Sequence, residues 1–580
     1  MGDKNQVRTA PASLIRHGSI LSLLTLVSRV LGLLREMTKA SLLGTSALSD
    51  AFSVAFMLPN LFRRLFAEGS VSAAFIPTFK EYLLENDRKK NREFLSCIFT
   101  FLTFIVTLTV MAGILIAPFL IRFFGMEEFD ETVLLTRIMF PFLGFISIAA
   151  LFQGILNSLH IFTPSGVAPL LIRFFGMEEF DETVLLTRIM FPFLGFISIA
   201  ALFQGILNSL HIFTPSGIAP ILLNIVTIVC AYALSPFTKN PARAMACGIL
   251  IGGFLEAAIQ LPFVIKNGQR FFFTGLKKAF NNPGTRKVLK LIGPTIIGMA
   301  AYQLNDLVST ALAGNAGEGI VSSLQYSLRL QELILGVFAV SIGTVLLPNL
   351  AEYAKSSQWK SFNERLASAM DIIALITVPI TFFSLAQAEI LIRLLFQNRS
   401  FDETSVKLTL SAFTFHMPGL LFIALNRILA PAFYAQSDSK SPTLAGLISF
   451  AANITLAAIL VRYYRGAGIA LALSIASVVN TVMLFVFLRK NPNIIIGRAL
   501  GSALFYLLKL ILLSCIAVAP LYFLSPVLVK LFAGRGRIIS YGAPLAINAF
   551  IFAMLGIGLL VVTRDKQLLG LFRAINKRKE

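Results

Sequence analysis

The feature that most constrains this chain is its long apolar runs, such as Cys97 to Leu120 and Ser502 to Leu524. Runs of about 20 residues match a hydrocarbon core roughly 30 Å thick. In lipid each backbone N–H and C=O must be satisfied by a helix or a closed barrel. Barrel strands alternate apolar and polar residues, and no such alternation occurs here. The runs therefore read as helices. Composition agrees: 56% of residues are hydrophobic, only 14% are charged, and the mean hydropathy is +0.79. A soluble domain carries about a quarter charged residues.

Apolar runs place spans at 17–43, 50–80, 94–120, 132–159, 218–235, 243–265, 286–313, 320–351, 364–385, 405–434, 441–461, 467–488, 500–524 and 538–562. The expected fold is an all-α, polytopic membrane helix bundle of about 14 spans. Lys4, Arg8 and Arg16 precede the first run and no small-residue cleavage site follows, so that run reads as a retained span.

Residues 171–217 are set aside because Leu171 to Gly217 repeats Leu120 to Gly166 without one difference over 47 residues. An old structural repeat would have drifted. Charge argues against counting both copies as spans. The loop Lys80 to Arg92 carries Lys80, Arg88, Lys89, Lys90 and Arg92; Lys266 to Lys290 carries seven basic residues. Both belong on the cytoplasmic side, so an even number of crossings separates them. One copy satisfies this and two do not. The extra copy is therefore expected not to form a regular additional span.

The net charge of +21 would suggest nucleic acid in a soluble protein. Here most basic residues sit in short loops, where they orient the spans, and no nucleic-acid role is expected. The four cysteines, Cys97, Cys230, Cys247 and Cys515, lie apart in apolar surroundings. They imply neither a disulfide framework nor a metal site.

A weak internal similarity hints at two halves. Pro77 with Glu81-Tyr82 closes the second expected span, and Pro348 with Glu352-Tyr353 closes the eighth. Two six-helix lobes in parallel orientation are a common transporter plan, with the substrate site between them. The expected lobes are 1–266 and 267–490. Residues 491–580 add two C-terminal helices, apolar apart from Lys509, suited to a lipid-tail groove.

Charges inside spans cost several kcal/mol at mid-bilayer and face a bundle interior or an aqueous cavity. Arg29, Arg35 and Glu36 lie in the first span, Asp50 starts the second, and Arg63, Arg64 and Glu68 follow in it. Asn305 and Asp306 lie in the seventh; Arg329 and Glu332 lie in the eighth. Spacings of seven (Arg29 to Glu36), four (Arg64 to Glu68) and three (Arg329 to Glu332) allow pairing along one helix face. These glutamates read as supporting ion pairs. Five arginines exceed them, and the surplus needs an anion. A guanidinium is a fixed charge whose planar fork fits phosphate or carboxylate bidentately. Pro59 and Pro418 interrupt their spans and can kink them.

The catalytic inventory is poor. There is no G-x-x-x-x-G-K-[ST] phosphate loop, no H-E-x-x-H and no G-x-S-x-G elbow. His416, in an aromatic run, reads as packing. No cofactor, metal or catalytic residue is expected, and energy must come from an ion gradient or the membrane potential. Asn305 and Asp306 are the candidate site for a monovalent cation or proton.

At these residues the sequence resembles the MurJ (MviN) family of lipid II flippases, in the multidrug/oligosaccharidyl-lipid/polysaccharide exporter superfamily. The resemblance runs through Ser28-Arg29-Val30-Leu31-Gly32 to Arg35, Ser49-Asp50-Ala51-Phe52, Leu58-Pro59-Asn60-Leu61 to Arg63-Arg64, and Phe66-Ala67-Glu68-Gly69. Arg329 with Glu332 and Gly343 to Pro348 match the family's eighth span. The resemblance implies two lobes alternating around a cationic cavity, with Arg29, Arg35, Arg63, Arg64, Arg329 and Asp50 as the functional set. It implies an undecaprenyl-pyrophosphate-linked peptidoglycan precursor as substrate. The implied location is the bacterial cytoplasmic (inner) membrane, multi-pass, with N- and C-termini cytoplasmic. The duplicated block has no place in that plan. An exporter of other polyprenyl-linked glycans or of drugs is the alternative transporter, though arginines disfavour cationic drugs. A non-transporting cell-wall scaffold or an intramembrane transferase are alternatives of another class.

Overall fold

The computed structural model describes residues 10–63, 71–123, 185–186, 189–190, 192–269, 271–494 and 496–569, apart from 86, 211, 213, 437, 439 and 566. These residues are predominantly helical, with no strand among them. Among the described residues, eight helices are long and apolar enough to cross a membrane: Arg88–Ala112, Thr214–Ala233, Pro241–Lys266, Trp359–Ala386, Glu403–Ala435, Lys440–Leu488, Leu504–Leu531 and Arg537–Val562. The described chain divides into two compact units. One holds residues up to Thr38 and Ala47–Gln303; the other holds Lys39–Ser46 and everything from Leu304.

The first unit is built from α1 (Ala10–Leu43, as far as Thr38), α2 (Ala47–Arg63), α3 (Val71–Leu84), α4 (Arg88–Phe123), α5 (Phe193–Ser209), α6 (Thr214–Ala233), α7 (Pro241–Lys266), α8 (Leu276–Asn281) and the first part of α9 (Pro283–Gly314). Within the run expected at 50–80, α2 and α3 are the described helices. α5 packs among α2, α3, α4 and α7, with Phe193, Leu194, Leu202, Phe203, Ile206 and Leu207 buried.

α5 is a correction. It comes from the second copy of the duplicated block, which was set aside, while the expected span 132–159 lies outside the described residues. The second copy leads into α6 through only residues 210–213. A short connection favours that copy over its twin.

α6 and α7 approach closely because glycines replace side chains at their contact. A Cβ on Gly248 would lie 2.8 Å from the Cys230 side chain, and one on Gly252 would lie 2.8 Å from that of Leu223. Gly248 and Gly252 form the small-xxx-small spacing by which membrane helices pack without a hydrophobic driving force. On the next residue, Gly253 leaves the space that the Phe193 ring fills.

The second unit contains the rest of α9, then α10 (Ile320–Lys355), α11 (Trp359–Ala386), α12 (Ala388–Phe396), α13 (Glu403–His416), α14 (Leu420–Ala435), α15 (Lys440–Leu488), α16 (Ile496–Leu531) and α17 (Arg537–Val562). α10 packs on α14, α13 and α11; α16 packs on α11 and α17. Met417–Gly419 forms a 3-10 turn between α13 and α14, the break expected at Pro418. α15 is broken at Arg465, where φ is +46°, and its two arms, which match the expected spans 441–461 and 467–488, fold back on one another, with Ser449 Oγ donating to the Ala476 carbonyl at 2.7 Å.

The corner Lys39–Ser46 is held by contacts within this unit. The Tyr326 hydroxyl donates to the Gly44 carbonyl at 3.0 Å, and Thr45 and Ser405 share a hydroxyl bond of 2.8 Å. Gly44 has φ +59°, and a Cβ there would lie 2.0 Å from the Ser400 carbonyl oxygen. Only glycine suits that position.

Candidate functional site

In the first unit the arginine-bearing stretch lies on α1. Arg35 Nη2 meets Glu36 Oε1 at 3.1 Å, and both side chains are largely buried. Glu36 thus pairs with its neighbour rather than with Arg29, seven residues away. A neighbouring guanidinium reaches the carboxylate without spanning two helix turns. Arg35 also stands over the Phe56 ring, with its guanidinium carbon 5.3 Å from the centroid. Phe56 lies 6.4 Å from Phe52 and 6.5 Å from Phe193, so α2 and α5 supply an aromatic wall beneath the charge. Cation–π contact of this kind gains strength in a desolvated setting.

Arg29 is half-buried. Beside it, the Asn224 amide of α6 donates to the Ser28 carbonyl at 3.4 Å and to the Pro220 carbonyl at 3.0 Å. Asn224 was missed in the sequence, where it reads as one polar residue in an apolar run. Asp50 is buried in the first turn of α2, where the helix dipole favours a carboxylate. Arg63 ends α2 but its side chain, with Arg64 and Glu68, lies outside the described residues.

In the second unit Arg329 Nη1 donates to Glu332 Oε2 at 2.8 Å, the expected pair three residues apart on α10. Their side chains are 36% and 45% exposed. Two residues to either side of Arg329, Ser327 and His416 Nδ1 lie 2.6 Å apart, and Gln331 donates to the His416 carbonyl at 2.5 Å. His416 is fully enclosed, a packed and hydrogen-bonded histidine as expected. The segment Lys39–Ser46 brings a buried lysine that sequence reasoning passed over. Lys39 Nζ donates to Gln325 Oε1 at 3.3 Å and stands 4.8 Å from the Tyr326 centroid.

Asn305 and Asp306 lie side by side on α9, both half-buried. The Asn453 amide of α15 donates to Asn305 Oδ1 at 2.7 Å and to Ser309 Oγ at 3.0 Å. Asn453 is buried, and its own Oδ1 has no hydrogen-bond partner among the described residues. The Asn305 and Ser309 oxygens are thus met by an amide donor, and the Asn453 Oδ1 is the acceptor left over beside them. No group of three or more His, Cys, Asp or Glu able to hold a metal occurs among the described residues.

Comparison with known proteins completes the picture. The profile of the lipid II flippase MurJ family matches residues 39–175 and 170–539. The two matches meet inside the duplicated block, which marks the block as an addition to the family's plan. A probable lipid II flippase MurJ of Treponema pallidum (strain Nichols) is 42% identical over 96% of this chain and 97% of its own. One of Vibrio cholerae is 31% identical over 82% of this chain and 83% of its own. Among solved structures, lipid II flippase MurJ in an inward closed conformation shares the fold with a TM-score of 0.71. It is 24% identical and covers 94% of this chain and 99% of that one. A multidrug resistance MATE family transporter of the MOP superfamily, inward-facing, gives 0.59 at 14% identity, covering 81% and 93%. With its membrane-length helices and these relatives, the chain is a multi-pass membrane protein and belongs to the lipid II flippase MurJ family.

Proposed function

We propose that this chain is a flippase that carries lipid II, the undecaprenyl-pyrophosphate-linked peptidoglycan precursor, across the bacterial cytoplasmic membrane by alternating access. The observation that carries this reading is the 42% identity to a probable lipid II flippase over nearly the whole chain. Membrane-embedded arginines give it a chemical basis. Arg29, Arg35, Arg63, Arg64 and Arg329, with Asp50, are the proposed substrate-binding set, and Glu36, Glu68 and Glu332 are the proposed supporting ion pairs. The arginines would draw the pyrophosphate, while the polyprenyl tail stays in lipid. A charged hydrogen bond to phosphate contributes about 1.5–3 kcal/mol, so loss of one arginine should weaken transport tenfold or more.

The proposed organisation is an N-lobe at 1–266, a C-lobe at 267–490 and a C-terminal helix pair at 491–580 forming the tail groove, with both termini cytoplasmic. Transport has no nucleotide loop to draw on, so a gradient or the membrane potential is the proposed energy source. Asn305 and Asp306 are the proposed cation or proton site, and the Asn453 and Ser309 side chains beside Asn305 support that choice.

The test is complementation of a flippase-depleted bacterium, with lipid II accessibility on the outer face as readout. The intact chain should rescue growth and deliver lipid II outward, whereas Arg35→Ala and Arg329→Ala should do neither. Normal rescue by both variants would remove the arginine mechanism.

A further inference from the structure

The connection between α7 and α9 is a strap stitched along α4, and it has an unusual surface. Residues 271–275 are non-helical, ending in an extended Gly275, and α8 follows. The Phe272 N–H donates to Ser96 Oγ and the Thr274 N–H to Thr100 Oγ1, each at 3.0 Å. The match is geometric. Residues two apart in an extended chain rise about 6.6 Å, and residues four apart in a helix rise about 6.0 Å. Thr100 donates its own hydroxyl proton to the Ser96 carbonyl at 2.8 Å, which leaves its oxygen facing the strap.

Alternation then sorts the phenylalanines. Phe271 and Phe273 both meet Phe99, with centroids 4.6 and 5.0 Å away. Phe272 turns to the other side and lies 4.4 Å beneath the Arg92 guanidinium. Further on, Phe280 meets Phe101 edge-on at 5.1 Å. Although anchored, the strap stays open: Phe272 is 46% exposed and Leu276 43%. Lys277 is exposed beside them, and Lys278 is held by Glu93 at 2.9 Å. From Lys266 to Lys290 the chain has seven basic residues and no acidic one. The strap begins at the basic end of one apolar helix, Pro241–Lys266, and lies near the basic start of another, Arg88–Ala112.

Exposed aromatic and aliphatic side chains beside the Arg92 and Lys277 cations, at the ends of membrane-length helices, are what an anionic bilayer surface selects. We propose that the Phe271–Asn281 strap, with Arg92, is a docking surface for anionic phospholipid headgroups. Phe272 and Leu276 enter the acyl boundary while Arg92 and Lys277 hold headgroup phosphates. Charge complementarity selects this occupant: a zwitterionic headgroup offers no net charge to so basic a patch. The inference rests on the membrane placement of the chain and not on its cargo.

The single tryptophan, Trp359, lies outside the strap, which permits a local probe. Phe272→Trp in a Trp359→Phe background places the only indole on the strap. The full chain is reconstituted in phosphatidylcholine, or in equal parts phosphatidylcholine and phosphatidylglycerol, with one lipid brominated at a time. Brominated phosphatidylglycerol should quench the indole well beyond its share of the bilayer. Arg92→Gln with Lys277→Gln should weaken that preference roughly 30-fold, about fivefold for each charge near the surface. Equal quenching by the two lipids would overturn the proposal, as would a preference that survives the double substitution. Comparing the two lipids in the singly labelled protein decides the matter even if the double variant fails to fold.

Discussion

Lys509→Met tests how the C-terminal helix pair is fastened. Lys509 lies on α16 and donates to Asp565 Oδ2 at 2.7 Å, just beyond α17. The Asp565 side chain is 1% exposed and that of Lys509 23%. Asp565 Oδ1 also accepts from the Tyr506 hydroxyl at 3.2 Å and from the backbone N–H groups of Gln567 and Leu568, both at 3.1 Å. Removing one partner of a buried pair costs about 3–5 kcal/mol because the other charge is left uncompensated. Three donors remain on Asp565 and Lys509 is partly wet, so the expected loss is smaller, about 2–3 kcal/mol.

The sign with pH follows from Asp565. Burial alone would raise its pKa, but the Lys509 ammonium and the backbone N–H groups hold it below the ordinary carboxylate value. A depressed carboxyl contributes stability above its unfolded pKa, and that contribution is lost as pH falls through the folded value. Without Lys509 the carboxyl keeps its Tyr506 and backbone donors but loses the ammonium, so it is held down less. The deficit of Lys509→Met should therefore be largest near neutral pH and shrink on acidification. Unfolding by denaturing detergent across pH would measure it, in a cycle with Asp565→Asn. Additive effects of the two substitutions, or a deficit independent of pH, would refute the reasoning.

Four further outcomes follow from the structure. Gly253→Ala must displace the Phe193 ring, whose nearest atom would lie 2.3 Å from the new Cβ; the expected loss is about 1–3 kcal/mol. Gly32→Ala, with nothing within 4 Å of its Cβ, should instead gain about 0.5–1 kcal/mol of helix stability, and the two melting curves should move in opposite directions. Arg35→Lys keeps the charge over Phe56 but loses the planar fork, so outward lipid II delivery should fall severalfold, with expression unchanged. Asn453→Ala removes the amide that joins Asn305 and Ser309, and should abolish any stabilisation that a monovalent cation gives the purified protein.

The helical membrane class was legible because it rests on run length alone, as Arg537–Val562 illustrates. The Arg329–Glu332 pair was legible because three-residue spacing brings two side chains together in any helix. What spacing could not show was contact between distant segments. Lys39 reads as the end of a span, yet it is buried against Gln325 and Tyr326 nearly three hundred residues later. Asn224 and Asn453 are single polar residues in apolar runs, and their partners lie on other helices. The strap on α4 was visible only as a basic loop, because the hydroxyls that capture its backbone sit within an apolar helix.

The origin of α5 has a thermodynamic consequence. Phe142–Ser158 has the same sequence as Phe193–Ser209, so either would present the same surface to α2, α3, α4 and α7. Only chain closure tells them apart. Using the second copy leaves 69 residues after α4 and four before α6, whereas using the first would leave 18 and 55. Closure cost grows only with the logarithm of connection length, so these lengths separate the two copies by only about 1 kcal/mol. One slot thus has two nearly equivalent tenants in the same molecule, an occupancy choice balanced within a few RT. Deleting either copy with its short joining segment yields the same polypeptide, so a single shortened protein removes the choice altogether.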